Sequence, residues 1–257
     1  MRNSIKVIGG CAVVATMMMA SAASALDIGF VVAGSEITKP LDTAWADRLV
    51  SQGYTVTPFA DETPADDPGL AAMDLFIVSA HVNSGDFLSG VGIDQKVSSI
   101  TYEPAIYDDV FGADSNPNRS PANELPLTIA DHTHFLAQAM NGDVVFYTGT
   151  ESKTVPTAVG ALAPGTTVIG TTLYDGSPEA SLMTLEVGAL GGKEGAERTF
   201  PALWIAVPVD DDWDPALVTE AGWKILDAAV AYAVVPEPSS FALVGLGLAA
   251  LFARRRR

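Results

Sequence analysis

Residues 73–80 read MDLFIVSA, and the near-continuous apolar run from Leu75 to Val78 decides the fold class. A strand with one wet face alternates apolar and polar residues, whereas a strand covered on both faces stays apolar throughout. The run therefore predicts a strand inside a parallel sheet with helices on both sides. Residues 27–33, DIGFVVA, repeat the pattern and end at Gly34. Between the two runs, Pro40 opens a segment in which Leu41, Ala44, Trp45 and Leu49 share one helical face, and Gly53 stands where a C-terminal cap belongs. Residues 54–59 then alternate as a second strand, and DETPADDPG at 61–69 reads as a polar, proline-rich loop. Strand, helix, strand and strand in so short a stretch predict an α/β domain built on a mainly parallel sheet.

Later segments extend the pattern. Strands are expected at 99–102, 127–130 (as an edge), 144–147 and 202–207. Two more, 165–173 and 181–189, read as a pair joined through Asp175-Gly176, and helical turns are expected at 105–110 and 135–140. Asp214 and Pro215 look like the N-cap and first residue of a final helix, with Val218, Ala221, Ile225, Ala229 and Tyr232 on one stripe.

Both ends differ from this body. Arg2 and Lys6, the apolar stretch 7–20 and the Ala23-Ser24-Ala25 site form a secretory signal, so 1–25 is expected to be removed. The single cysteine, Cys11, lies inside that signal, which leaves the mature chain without disulfide or thiol nucleophile. The body at 26–235 keeps eight basic against 30 acidic side chains, a net charge of −22. Nucleic acid is excluded as a partner, because phosphate binding needs clustered Lys and Arg.

The last segment, 236–257, reads Pro236-Glu237-Pro238, then an apolar run from Phe241 to Ala253, then Arg254, Arg255, Arg256 and Arg257. Thirteen helical residues span roughly 20 Å, short of the roughly 30 Å hydrocarbon core, and the arginines would hold the end on the cytoplasmic side. An ordinary tail anchor would be longer and has no use for the Pro-Glu-Pro segment. The order of parts resembles the PEP-CTERM sorting signal. That resemblance implies an exosortase-type processing enzyme as partner, a transient inner-membrane stage through a short transmembrane helix, and delivery to the envelope or outside, in organisms that make exopolysaccharide.

Across 27–233 a second resemblance is carried by several blocks. These are the opening strand with Gly34, the strand ending Ser79-Ala80-His81, Ile100-Thr101-Tyr102-Glu103 before Asp108-Asp109, the segment Asp131-His132-Thr133-His134 before Gly142, and the ending 217–233 with Gly222-Trp223. Together they resemble the class I glutamine amidotransferase-like superfamily, in particular its trehalose-utilisation (ThuA-like) branch. The resemblance implies a flavodoxin-like three-layer sandwich. It does not carry activity, because the family nucleophile is a cysteine and His81 stands in the matching place. No G-x-S-x-G elbow offers a serine instead.

In open α/β sheets ligands gather beyond the carboxyl ends of the strands. The loops expected there present Ser35, Glu36, His81, Asn83, Asp86, Glu103 and the pair His132 and His134. His81, Glu103 and His134 are the candidate acid–base residues; Ser35, Asn83, Asp86 and the loop residue Trp213, whose indole could stack on a sugar, are the candidate ligand contacts. The H-x-H spacing lacks a defined third ligand, so neither metal nor other cofactor is expected. The acidic run 210–214 reads as a solvated loop with a helix cap rather than a calcium loop. These readings converge on an exported, non-catalytic domain that binds carbohydrate. The competing expectation is a hydrolase or isomerase using His81, Glu103 and His134.

Overall fold

A computed structural model describes residues 26–112, 122–138, 140, 142–153, 157–158, 160–174, 176–210 and 213–234. The expected signal at 1–25 and the sorting segment at 236–257 lie outside them. Among the described residues no helix is long and apolar enough to cross a membrane.

The first half follows the expected order of strands, with a further helix at Ser84–Ser89 that the sequence reading did not include. Strand β1 (Asp27–Val32) leads through α1 (Pro40–Ser51) to β2 (Thr55–Ala60), and β3 (Leu75–Val78) leads through α2 (Ser84–Ser89) to β4 (Ser98–Thr101). After α3 (Tyr107–Phe111) come β5 (Ala122–Ile129), the one-turn helix α4 (Phe135–Gln138), β6 (Val144–Lys153), β7 (Thr166–Tyr174) and β8 (Ser177–Leu185). A two-stranded ribbon of β9 (Leu190–Gly191) and β10 (Arg198–Thr199) precedes β11 (Trp204–Ala206), and α5 (Glu220–Val234) closes the described chain.

Among the described residues nine strands form one sheet in the order β2-β1-β3-β4-β11-β8-β7-β5-β6. The pairs from β2 to β11 are all parallel. Their spatial order is compatible with a flavodoxin-like, doubly wound sheet. From β11 onward every pair is antiparallel. The expected mainly parallel sheet is therefore corrected to a mixed one, half parallel and half antiparallel. A parallel return needs a crossover of a dozen or more residues, usually helical. Strand β7 ends at Tyr174 and β8 begins at Ser177, far too short a gap for such a crossover, so the chain doubles back there. It follows that β6, not 127–130, is the edge on this side.

Two apolar layers flank the sheet. On one face Leu41, Trp45 and Leu49 of α1 and Ile225, Leu226 and Ala229 of α5 meet Phe30, Ile77, Ile100 and Ile205. Trp45 sits edge-on to Phe30, ring centroids 6.1 Å apart, and 5.4 Å from Tyr102. The other face packs Phe87 of α2 and Val110 and Phe111 of α3 over Phe76, Val78 and Trp204.

The last helix starts later than its apparent cap. Asp214 accepts from Ala216 N at 2.9 Å, yet it caps only a 3₁₀ turn at Pro215–Leu217. Val218 is then extended and bridges to Tyr147, which breaks the helical path. Thr219 makes the working cap: its Oγ1 accepts from Gly222 N at 3.0 Å and donates to Val145 O at 2.7 Å, fastening α5 to β6. The helix lies so close there that a Cβ on Gly222 would stand 2.4 Å from Phe146 O. Alanine normally stabilises an exposed helical glycine position by up to about 1 kcal/mol. Here Gly222→Ala is expected to lower stability instead, by about 1–3 kcal/mol in urea unfolding, because α5 must move off β6.

Candidate functional site

Strand β1 lies between β2 and β3, so the chain leaves it in one direction and returns on the other side. The crevice at that switch point, beyond the carboxyl ends of β1 and β3, is where a doubly wound sheet binds its ligands. Exposed Ser35 and Glu36 of the loop after β1 border it, and His81, its side chain 15% exposed, follows β3.

Beneath His81 lies Asp42, in the first turn of α1 and 1% exposed. Its carboxylate accepts from the Ser79 hydroxyl at 2.9 Å and from the Tyr102 hydroxyl. His81 Nδ1 stands 3.9 Å from Asp42 Oδ2, and His81 N donates to Ser79 Oγ at 3.1 Å. Pleating explains the convergence. Leu75, Ile77 and Ser79 point to the α1 face of β3, as Ile100 and Tyr102 do on β4, so the first polar residue past each apolar run meets the N-terminus of α1. A carboxylate in that first turn also gains from the helix dipole.

Glu103 turns to the other face. It is 5% exposed, its Oε1 accepts from Ala105 N at 2.7 Å to cap the 3₁₀ turn Pro104–Ile106, and its own N donates to Thr101 Oγ1 at 3.1 Å. Buried Tyr107 donates to Val207 O at 3.4 Å. Burial raises the pKa of its phenol, and the negative charges of fully buried Asp210 and of Glu103 raise it further. Asn83 and Asp86 are exposed at the start of α2. The Asn83 side chain accepts from Gly85 N at 3.0 Å as the cap, while its backbone N donates to buried Asp61 Oδ2 at 2.7 Å.

Two expected site residues lie elsewhere. His134 follows β5, which runs opposite to β3 and β4, so it does not join His81 and Glu103. Its ring packs against Tyr232 at 5.0 Å near the end of α5, and its Nδ1 accepts from Leu136 N at 3.3 Å. The Tyr232 hydroxyl donates at 2.9 Å to Glu186, just past β8. His132 is exposed, and among the described residues no three His, Cys, Asp or Glu are grouped to hold a metal. Trp213 is the second correction. It is 1% exposed, packed 5.3 Å from the Phe146 ring and 4.6 Å from that of Tyr147, so burial beneath the segment leading to α5 withholds it from any sugar.

Sequence reasoning passed over Asp42 and Tyr107 and gave Ser79 and Tyr102 no site role, and its solvated loop at 210–214 is corrected at Asp210, which is fully buried. One signal was present. Asp42 stands three, four and seven residues before Trp45, Ala46 and Leu49, which puts a carboxylate on an apolar helical stripe.

Removing that carboxylate strands two buried hydroxyls, so Asp42→Ala is expected to cost about 2–3 kcal/mol in denaturant unfolding. Burial lowers the pKa of His134, more than neighbouring Glu186 and Asp131 raise it. The folded state therefore takes up the proton less readily than the unfolded chain. Stability should fall as pH drops below about 6.5 and through the lower folded value, and His134→Gln should flatten that fall in thermal melts across the range.

The PEP-CTERM protein-sorting motif matches residues 234–257. No curated protein matches the chain by sequence. Among solved structures, a cytoplasmic protein of Salmonella typhimurium superposes with a TM-score of 0.53 at 10% identity, covering 80% of this chain and 98% of its own. A protein of Parabacteroides merdae described as ThuA-like gives 0.51 at 11% identity, covering 83% and 94%. At such identities the likeness is one of fold. The chain thus carries a PEP-CTERM sorting motif behind a body with the fold of ThuA-like proteins.

Proposed function

We propose that this protein is a surface-delivered, non-catalytic domain that binds carbohydrate of the envelope or surrounding matrix after an exosortase has processed its tail. The sorting motif implies recognition by an exosortase and export of a membrane-anchored precursor. The single observation that carries the non-catalytic reading is how the strand-end groups are used. Asp42 is held by Ser79 and Tyr102, Glu103 caps its own turn, and Asn83 caps α2. These side chains brace the rim, whereas an acid–base pair must reach the reacting group. No cysteine stands in the body to act as nucleophile. Its charge of −22 favours solubility and repels anionic surfaces once the tail is gone.

One observation favours the competing reading. His81 keeps a carboxylate 3.9 Å behind its Nδ1, which is the beginning of an acid–base dyad for a hydrolase or isomerase. Its three expected members do not assemble, since His134 lies by Tyr232 and Glu103 faces the other side.

Sorting is tested in a host with an exosortase, by following the full chain in membrane and released fractions. The native chain should appear shortened outside the cell, and Glu237→Ala should leave it membrane-bound at precursor length. Equal release of both would overturn the sorting half of the proposal.

A further inference from the structure

A groove of about 680 Å³ lies on the α2 and α3 side of the sheet, along the segment that leads from α2 to β4. That is the size of a small-molecule site, typically about 300–1,000 Å³. It is separate from the switch-point crevice, for neither Ser35, His81 nor Asn83 lines it. Its polar side chains are Ser89, Asp94, Gln95, Lys96, Asp109 and Arg198.

Two features make the groove a prepared surface. Gly90 presses on the end of β2, where a Cβ would stand 2.4 Å from Asp61 O, and Val91 N donates to that same oxygen at 3.3 Å. Arg198 is held from two sides, its guanidinium 5.2 Å over the Phe200 ring and its Nη1 3.2 Å from Asp94 Oδ2. Asp109 is half-buried across the groove, and burial raises the pKa of its carboxyl, with the Asp108 charge adding to the effect.

The charge balance selects the ligand. The body has only eight cationic side chains against 30 acidic ones, yet the groove places two cations against two carboxylates and is locally neutral. An anion would meet Asp94 and Asp109, and a cation would meet Arg198 and Lys96. A neutral polyol meets neither penalty. Each of its hydroxyls both donates and accepts, which suits Arg198, Lys96 and Gln95 as donors interleaved with Asp94 and Asp109 as acceptors. The aliphatic Leu88 and Val97 beside them suit the C–H faces of sugar rings. We infer that this groove, rather than the crevice at the strand ends, holds a short stretch of neutral oligosaccharide, with Arg198 and Asp109 as its principal polar contacts. The inference rests on the carbohydrate-binding reading above and gives it an address.

The test is calorimetric titration of the full chain, in a detergent without a sugar headgroup, with maltotriose, cellotriose and xylotriose. Trigalacturonate and trilysine serve as charged comparisons. At least one neutral trisaccharide should bind saturably, more tightly than either charged probe. Arg198→Gln and Asp109→Asn should each weaken it about ten-fold or more, and His81→Ala should leave it unchanged. Both substituted positions are partly exposed, and unchanged thermal midpoints establish that the variants fold. Binding that survives both groove variants and is lost in His81→Ala would overturn the location while sustaining the carbohydrate reading. Tighter binding of a charged probe would overturn the neutral ligand class. Failure of all three neutral sugars to bind would overturn both the inference and the reading on which it rests.

Discussion

One buried carboxylate organises the carboxyl-end rim of the parallel half. Asp42 takes the hydroxyls of Ser79 and Tyr102, and so ties α1 to the residues that follow β3 and β4. An unpaired charge at 1% exposure would be costly, and these hydrogen bonds to a helix-terminal carboxylate offset that cost. The same contacts fix the height of α1 on the sheet and let Trp45 fill the space between Phe30 and Tyr102. His81 is set at the rim because its backbone N is bound to Ser79 Oγ, so rim and core share one network.

Chain direction is the second constraint. Parallel strands deliver their following loops to one rim, and the doubly wound half does this for His81 and Glu103. The antiparallel half sends the residues after β5 the other way, where His134 closes over Tyr232 as a packing residue. A reading that assumes one sheet direction therefore gathers residues that the fold keeps apart. Pleating adds a finer division, since Tyr102 and Glu103 are neighbours in sequence yet serve opposite faces of the sheet.

Charge separates the protein's surfaces in a comparable way. The body is strongly acidic as a whole, which favours solubility. Several of its cations are tied into local pairs: Arg48 with Asp227 at 2.6 Å, Lys193 with Asp108 and Arg198 with Asp94, both at 3.2 Å. The last pair lines one groove together with Lys96 and Asp109, so the charges there balance on an otherwise acidic body. The sorting motif is a linear tail, whereas the groove is a surface that exists only when the chain is folded.

That contrast also divides what could be read from the sequence. Apolar runs at 27–33 and 73–80 settled the buried parallel strands, because burial on both faces leaves no alternation to misread. The Pro-Glu-Pro tail with its arginines was equally legible, since a processing enzyme reads it as a linear segment. Helix capping was only half legible. Asp214 and Pro215 carry every local sign of a helix start, but Val218 pairs with Tyr147 and moves that start to Thr219. Strand direction beyond β11, the burial of Trp213 and the meeting of Asp42 with Tyr102 lay beyond reach. Each depends on contacts between residues tens of positions apart, and such contacts follow from the lengths of connections and the packing of layers. The sequence by itself determined the α/β class, the acidic body and the sorting motif, because these are written in local composition and order. Tertiary structure alone decided which polar residues meet and which serve as braces, because only packing brings distant side chains within hydrogen-bonding range.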